Sequence, residues 1–539
     1  MKVRFFSLLI LSLTLTNAFA GQGVLYYKSG AFDVAKCLLQ QEFNSENRAE
    51  ASYYLGNISF LEDKKDSARF YFNEGLKANP LYLQNSIGVI MLDMKGMDPK
   101  LVDESLNKII KDKNNKKNIA IPIAASYAFL YNNNTEKAND YLDKARLINS
   151  KSAELFVLKG DIVASTNLGE ACANYETAIL YDSKCNEAYF KYAKVYKNMN
   201  PKQAIEKLMT LKKINPEFII IDRELSDIYY ATNDFANAAK YYELYLKSGN
   251  ITNVSDLTKY SMTLFLNHEF AKSLEVVQLG LKKSPKNPAF NRLSMYNHVD
   301  LKNTDEALKA ADLFFNESEN PDFTYLDFRY YAQALKDAKK YDVAVKQYQK
   351  ALEYDASKVE LWKEVSDMYS EMDSFANAIS AYTKYMSLVP EKEQASADVK
   401  ITLGKLYYGQ GNDSTATAKV KKNALLKADS IFSAVAIIEP EVYRANFWRA
   451  RVNAALDPET TLGLAKPYYE ATVALVEPKK DARYNAVLIE CYSYLGYYTL
   501  LQKDNAGSLV FWNKILVLNP NNTTAKKAIA GIQAPKKKK

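Results

Sequence analysis

The sequence predicts an all-α protein built as a solenoid, and three observations carry that prediction. The first is self-similarity at a fixed offset. Residues 325–357 overlay residues 359–391 position for position: Ala332 on Ser366, Leu335 on Tyr369, Tyr341 on Phe375, Ala344 on Ala378 and Tyr348 on Tyr382, each pair 34 apart. A period of this length with helical apolar spacing means one supersecondary unit copied along the chain, each copy packing on its neighbours. The second is alternation of size. A small residue falls in the first half of each unit, as at Gly56, Ala193, Ser226, Ser261, Ala332, Ser366, Gly404 and Gly496. Another opens the second half, as at Ala68, Ala138, Ala204, Ala238, Ala307, Ala344 and Ala378. One helical turn later comes a bulky residue (Phe72, Leu142, Leu208, Tyr242, Tyr348, Tyr382), with Ala311 the exception. Small side chains let two helices approach, and large ones fill the space beside them. The third is punctuation. Pro80, Pro216, Pro285, Pro390, Pro440 and Pro520 close units, because proline cannot continue the helix before it.

The elements follow in order. Residues 1–20 read as a secretory signal peptide: Lys2 and Arg4, an apolar run at 5–15, and the small-x-small site Ala18-Phe19-Ala20. The apolar run is too short to span a bilayer, and Gly21 and Gln22, not a cysteine, follow the cleavage site. An exported protein of the periplasm is expected, soluble or peripherally associated with the outer membrane. A partial unit at 21–48 carries Tyr27, Phe32 and Ala35, and a clear unit covers 49–82. The segment 83–118 is degenerate. Gly88 keeps register, but the run KDKNNKKN at 111–118 replaces the closing proline, and a flexible break is expected there. Residues 21–118 are thus set apart from a regular array at 119–391, whose units begin at 119, 153, 186, 219, 254, 288, 325 and 359. Residues 392–533 hold units with insertions. Gly404 and Ala428 are 24 apart where 12 is usual, so residues 409–421 are expected to lengthen the turn. A smaller insertion lies at 457–462. The unit at 482–522 regains register through Leu495, Gly496, Trp512 and Pro520, a helix over 523–532 caps the open end, and 534–539 form a basic tail.

This pattern resembles the tetratricopeptide repeat, a helix–turn–helix unit. Residues 361–390, LWKEVSDMYSEMDSFANAISAYTKYMSLVP, place Trp362, Val365, Ser366, Tyr369, Ala378, Tyr382, Tyr385 and Pro390 at the family's marked positions. The resemblance covers nearly all of the chain after residue 20. It implies an α-solenoid, a right-handed superhelix of about 13 units that holds a partner instead of turning over a substrate. In the family the first helix of each unit lines the concave face, and its fifth position points into the groove. Here that position is Phe190, Arg223, Thr258, Arg292, Arg329, Lys363, Ile401 and Phe447. One turn on stand Lys194, Asp227, Tyr296, Gln333, Asp367, Lys405 and Arg451. The candidate partner-binding residues are therefore Arg223, Arg292, Tyr296, Arg329, Lys363, Lys405 and Arg451. A cationic stripe of this kind suits acidic peptide segments or a free C-terminus. Glu224, Asp227 and Asp367 stand among the cations, so a solvated, salt-bridged groove is the alternative. The subclass that binds chaperone tails uses a lysine and an asparagine in its first unit. Those positions are Tyr53 and Asn57 here, and that ligand is not expected. The N-terminal end of the groove is aromatic, with Tyr53, Tyr54, Phe60, Tyr127 and Tyr131, and packing between units is the expected role of these rings.

No catalytic, cofactor or metal site is expected. The chain has no P-loop, GxGxxG, HExxH or GxSxG motif. Of its two histidines, His268 falls in an interhelix turn and His298 inside a helix. Cys37, Cys172, Cys185 and Cys491 form no CxxC or Cys/His cluster. Cys172 and Cys185 lie near the ends of one predicted helix, roughly 20 Å apart, whereas a disulfide needs Cα atoms within about 7 Å. Cys37 and Cys491 sit in units at opposite ends of the array, so four unbridged, buried thiols are expected. The net charge of +8 falls to +6 without Lys2 and Arg4, and to about +2 without Lys536, Lys537, Lys538 and Lys539. That balance argues neither for nucleic acid nor against it, and the export signal argues against it; the lysine tail offers a peripheral contact with acidic lipid headgroups. Asp413-Ser414-Thr415 looks like the O-glycosylation acceptor of some Gram-negative anaerobes. The sequence thus reads as a non-catalytic, exported scaffold for other proteins of the bacterial cell envelope. A periplasmic peptide-binding carrier or chaperone is the alternative, and an enzyme-associated regulatory arm the remote one.

Overall fold

A small residue at the helix crossing, and in many pairs a left-handed residue at the turn, build the same hairpin again and again. The computed structural model describes residues 21–247 and 253–534, and all regular structure within them is helical. The expected signal peptide and Lys536, Lys537, Lys538 and Lys539 lie outside the described residues. The chain divides into two compact units, at Val276 and Val277.

In the first unit the paired helices are Gln22–Lys28 with Phe32–Glu42, Arg48–Leu61 with Lys65–Ala78, and Gln84–Asp93 with Pro99–Lys111. Ala120–Tyr131 with Thr135–Ile148, Ala153–Val163 with Leu168–Tyr181, and Asn186–Tyr196 with Pro201–Ile214 follow. Then come Ile220–Ala231 with Phe235–Lys247, and Val254–Leu266 with Phe270–Lys283, the helix that carries the division. The second unit continues with Pro288–Asp300 and Thr304–Asp312, Tyr325–Asp337 and Tyr341–Tyr354, and Leu361–Glu371 and Phe375–Leu388. It ends with Ala397–Asn412 and Ala418–Ile438, Tyr443–Leu456 and Lys466–Val476, Asn485–Leu501 and Asn505–Leu518, and the closing helix Thr523–Gln533.

In eight pairs the turn is carried by one residue with φ between 53° and 64°: Asp63, Asn133, Asn233, His268, Lys302, Lys339, Asp373 or Lys503. Short polar side chains tolerate that region by bonding locally, which suits the Asn and Asp turns. In five pairs a hydrogen bond fixes the crossing at a register of 12. Ser126, Ser226 and Ser366 donate their hydroxyls to the carbonyls of Ala138, Ala238 and Ala378 at 2.7, 2.8 and 2.8 Å. Ser273 and Ser508 make the reverse bond, to the carbonyls of Ser261 and Gly496. Where the small residue is glycine, the partner ring takes the room: a Cβ on Gly56 would collide with Phe72, and one on Gly404 with Phe432. The bulky residues Phe72, Tyr242, Tyr348 and Tyr382 are fully buried, as the size alternation requires.

Three local expectations are corrected. Residues 409–421 lengthen the helices, not the turn: the first helix runs on to Asn412 and the second starts at Ala418. Nothing stops the first helix until Asp413, whose carboxylate accepts from the Thr415 N–H and hydroxyl, and Thr417 then caps the second. The smaller insertion is a true loop, pinned by the buried Asp457 carboxylate, which accepts from the Leu462 and Gly463 N–H groups at 3.0 and 2.8 Å. The thiols are free, but only Cys172 and Cys491 are buried; Cys185 is half-buried and Cys37 exposed. Cys37 sits mid-helix in the first pair. The degenerate segment forms a helix pair like the others, and one core from Tyr53 to Ile162 takes in its Ile87, Met91, Val102 and Leu106.

The first pair does something the repeat pattern does not announce. It lies against helices far along the same unit: Tyr26 meets Phe218 edge to face at 5.4 Å, and the Tyr27 hydroxyl lies 3.0 Å from that of Tyr131. Among the described residues no helix is long and apolar enough to cross a membrane.

Candidate functional site

The second unit carries most of the expected stripe, on the first helices of consecutive pairs: Arg292, Arg329, Lys363, Lys405 and Arg451. They fall into two groups. Arg292 bonds to Asp327 through Nε at 2.7 Å and Nη2 at 3.1 Å, and its guanidinium lies over Phe314 at 5.1 Å. Asp327 is fully buried and also accepts from the Tyr296 hydroxyl at 2.8 Å and from the Thr324 N–H at 2.7 Å. Tyr296 in turn stacks on Tyr330 with ring centroids 3.9 Å apart. Arg451 grips Glu490 with two bonds of 2.7 and 2.6 Å and lies over the rings of Phe447 and Trp448. Arg292, Tyr296 and Arg451 are thus built into contacts between neighbouring pairs.

Arg329, Lys363 and Lys405 form the other group. All three are exposed, and none makes an ion pair among the described residues. Partial burial, then the nearby Arg444 and Arg451 guanidiniums, push the Lys405 ammonium below the usual lysine pKa, the mark of a local excess of positive charge. The acids nearby are already engaged or held back. Glu364 pairs with Lys336 at 2.9 Å, Asp398 with Arg444 at 2.6 Å, and burial followed by the Glu364 charge raises the Asp367 pKa.

Arg223 belongs to the first unit and is spent there. Its guanidinium bonds Asp33 of the first pair at 2.9 and 3.2 Å, and its Nε lies 2.9 Å from the fully buried Asp256 carboxylate. Asn253 adds a bond to Asp33 at 3.1 Å. Burial opposes the Arg223 charge, but the Asp33 bond and the Asp256 charge outweigh it and hold the pKa above the usual arginine value. Arg223 therefore clamps the N-terminal pair.

Beside that clamp, in the same unit, is a cavity of about 350 Å³. Six tyrosines line it (Tyr27, Tyr53, Tyr54, Tyr82, Tyr127 and Tyr131), with Ile123, Leu130 and Val157 as the apolar wall. Lys191 is held by Asp161 and, at 2.7 Å, by Glu187; Asp161 also accepts from Tyr127 at 2.6 Å and from Tyr175 at 2.8 Å. Lys28 faces Glu154 at 3.4 Å. Burial, then the charges of Asp161 and Glu187, raises the Tyr127 pKa, and burial followed by Glu50 raises that of Tyr82. Of the aromatic residues expected to pack between units, Phe60 does so, while Tyr53, Tyr54, Tyr127 and Tyr131 both pack and face the cavity. Tyr27 and Lys28 reach it from the first pair, over a sequence distance that a 34-residue period does not encode. Among the described residues no group of three or more His, Cys, Asp or Glu is placed to hold a metal ion.

The register of 12 within pairs, and first helices that start 33–37 residues apart from Ala120 to Ala397, make the fold an α-solenoid of tetratricopeptide-repeat type. No protein-family model and no curated protein matches the chain. Among solved structures it is similar to the C-terminal part of a TPR repeat-containing protein from Cytophaga hutchinsonii, at 28% identity and a TM-score of 0.42, over 50% of this chain and 99% of that one. It is also similar to a tetratricopeptide repeat protein from Parabacteroides merdae, at 17% identity and a TM-score of 0.31, over 46% and 98% of the two chains. PilW, a type IV pilus biogenesis factor, matches at 17% identity and a TM-score of 0.32, over 39% of this chain and 96% of its own.

Proposed function

We propose that the protein is an exported, non-catalytic scaffold of the bacterial cell envelope, which holds other proteins on the first-helix face of its repeats. Acidic or C-terminal segments of the partner are taken at Arg329, Lys363 and Lys405. One observation carries this reading: three exposed, unpaired cations stand on the first helices of three successive pairs, while Arg292 and Arg451 on either side are tied to carboxylates. A carboxylate arriving there gains charge-assisted hydrogen bonds without breaking an existing pair. Export is supported by the charged start, apolar run and small-residue site of residues 1–20.

The test is capture of partners from an envelope fraction by the full chain and by an Arg329→Glu/Lys363→Glu double variant. A stoichiometric partner is expected, bound less tightly as salt rises and lost from the variant while helical content is kept. A stable partner indifferent to both reversals overturns this surface. Many substoichiometric clients would favour the carrier reading over the scaffold.

A further inference from the structure

We propose that the tyrosine-walled cavity of the first unit binds a cation: the guanidinium or ammonium of a basic side chain presented by a partner peptide. The inference is independent of the cationic positions in the second unit and of their proposed role.

Three features point to a cation. The first is the wall. Tyr27, Tyr53 and Tyr54 meet at a corner, with Tyr27–Tyr54 centroids at 4.7 Å and 54° and Tyr53–Tyr54 at 5.1 Å and 68°, so three rings of different tilt border one space. The negative face of an aromatic ring attracts cations, and several faces around one space are how proteins hold ammonium groups. The second is the charge balance. The lining holds the carboxylates of Glu154, Asp161 and Glu187 against the two ammoniums of Lys28 and Lys191. Both lysines are already paired with those same carboxylates, leaving one negative charge in excess. Against the half-buried wall that holds Asp161 and Lys191, the excess favours a cation over an anion. The third is size. A space of about 350 Å³ lies at the small end of ligand pockets and accepts a single long side chain, not a helix. A neutral sugar would stack on the same rings but leave the excess charge unmatched.

Calorimetry on the full chain at low salt tests this, with Nα-acetyl-arginine amide as the probe. Nα-acetyl-norleucine amide, Nα-acetyl-glutamate amide and methyl α-glucoside serve as neutral, anionic and sugar controls. The arginine probe should bind at least ten-fold more tightly than any control. Glu154→Gln should weaken it at least ten-fold, because the lining then loses its excess negative charge. Glu154 lies at the half-exposed edge of the site, so this variant should keep its helical content. Tyr54→Leu should weaken the arginine probe while leaving the norleucine amide unchanged. Equal binding of charged and neutral probes, preference for the glucoside, no arginine binding, or an unaltered Glu154→Gln protein would each overturn the assignment.

Discussion

Serine and glycine at the small-residue position decide how closely two helices of a pair approach, and they do so by different means. Ser366 adds a buried bond to the Ala378 carbonyl; Ser366→Ala should cost about 1 kcal/mol. Gly404 leaves room for the Phe432 ring, so Gly404→Val should cost about 1–3 kcal/mol by overpacking. Urea titrations of both variants check the two figures. The thiols give a second test. Burial pushes the Cys172 thiol up to about 11, burial with the Glu490 charge raises Cys491 further, and Cys37 is exposed. At pH 8 a thiol reagent should label Cys37 first. Labelling of Cys172 in the native protein should speed up as pH rises toward 11, since a raised pKa withholds the reactive thiolate until then. The small positions were legible in the sequence because a fixed offset repeats them. The fate of Arg292 was not: Asp327 comes from the next repeat, where an acid in the first turn reads as a solvated cap.

Each helix pair is a unit of stability coupled mainly to its neighbours, and that limits how far damage spreads. Ala344→Phe should overpack the crossing of Tyr325–Asp337 with Tyr341–Tyr354 and cost about 1–3 kcal/mol. Hydrogen exchange should then rise across 325–391 and little across 485–518. A uniform loss of protection would contradict a repeat array. Pair boundaries were legible wherever proline or a polar turn marked them. They failed at 409–421, because extra residues between two helix-forming segments can extend either the helices or the turn. Spacing alone cannot separate these outcomes; the local Asp413–Thr417 capping chemistry can.

Taken whole, the chain was legible as an array but not in how its beginning is used. Mature protein is predicted to start at Gly21 and to leave cells by periplasmic extraction without detergent, which intact mass of the released protein checks. Deleting residues 21–43 should lower the melting temperature, because Arg223 loses Asp33 and the cavity loses its Tyr27 and Lys28 wall. No local pattern reveals that docking, since Asp33 and Arg223 are 190 residues apart and Asp33 and Asn253 are 220 apart. The same distances have a consequence for the order of synthesis. The first helix pair leaves the ribosome ahead of everything it will clasp. At about 5–20 residues per second its partners follow roughly 10–40 s later. Every other pair of the first unit can settle on the pair just made, as short-range topologies do quickly. The N-terminal pair can settle on Arg48–Leu61 at once, through Tyr27 and Tyr54, but Tyr26 must wait for Phe218 and Asp33 for Arg223 and Asn253.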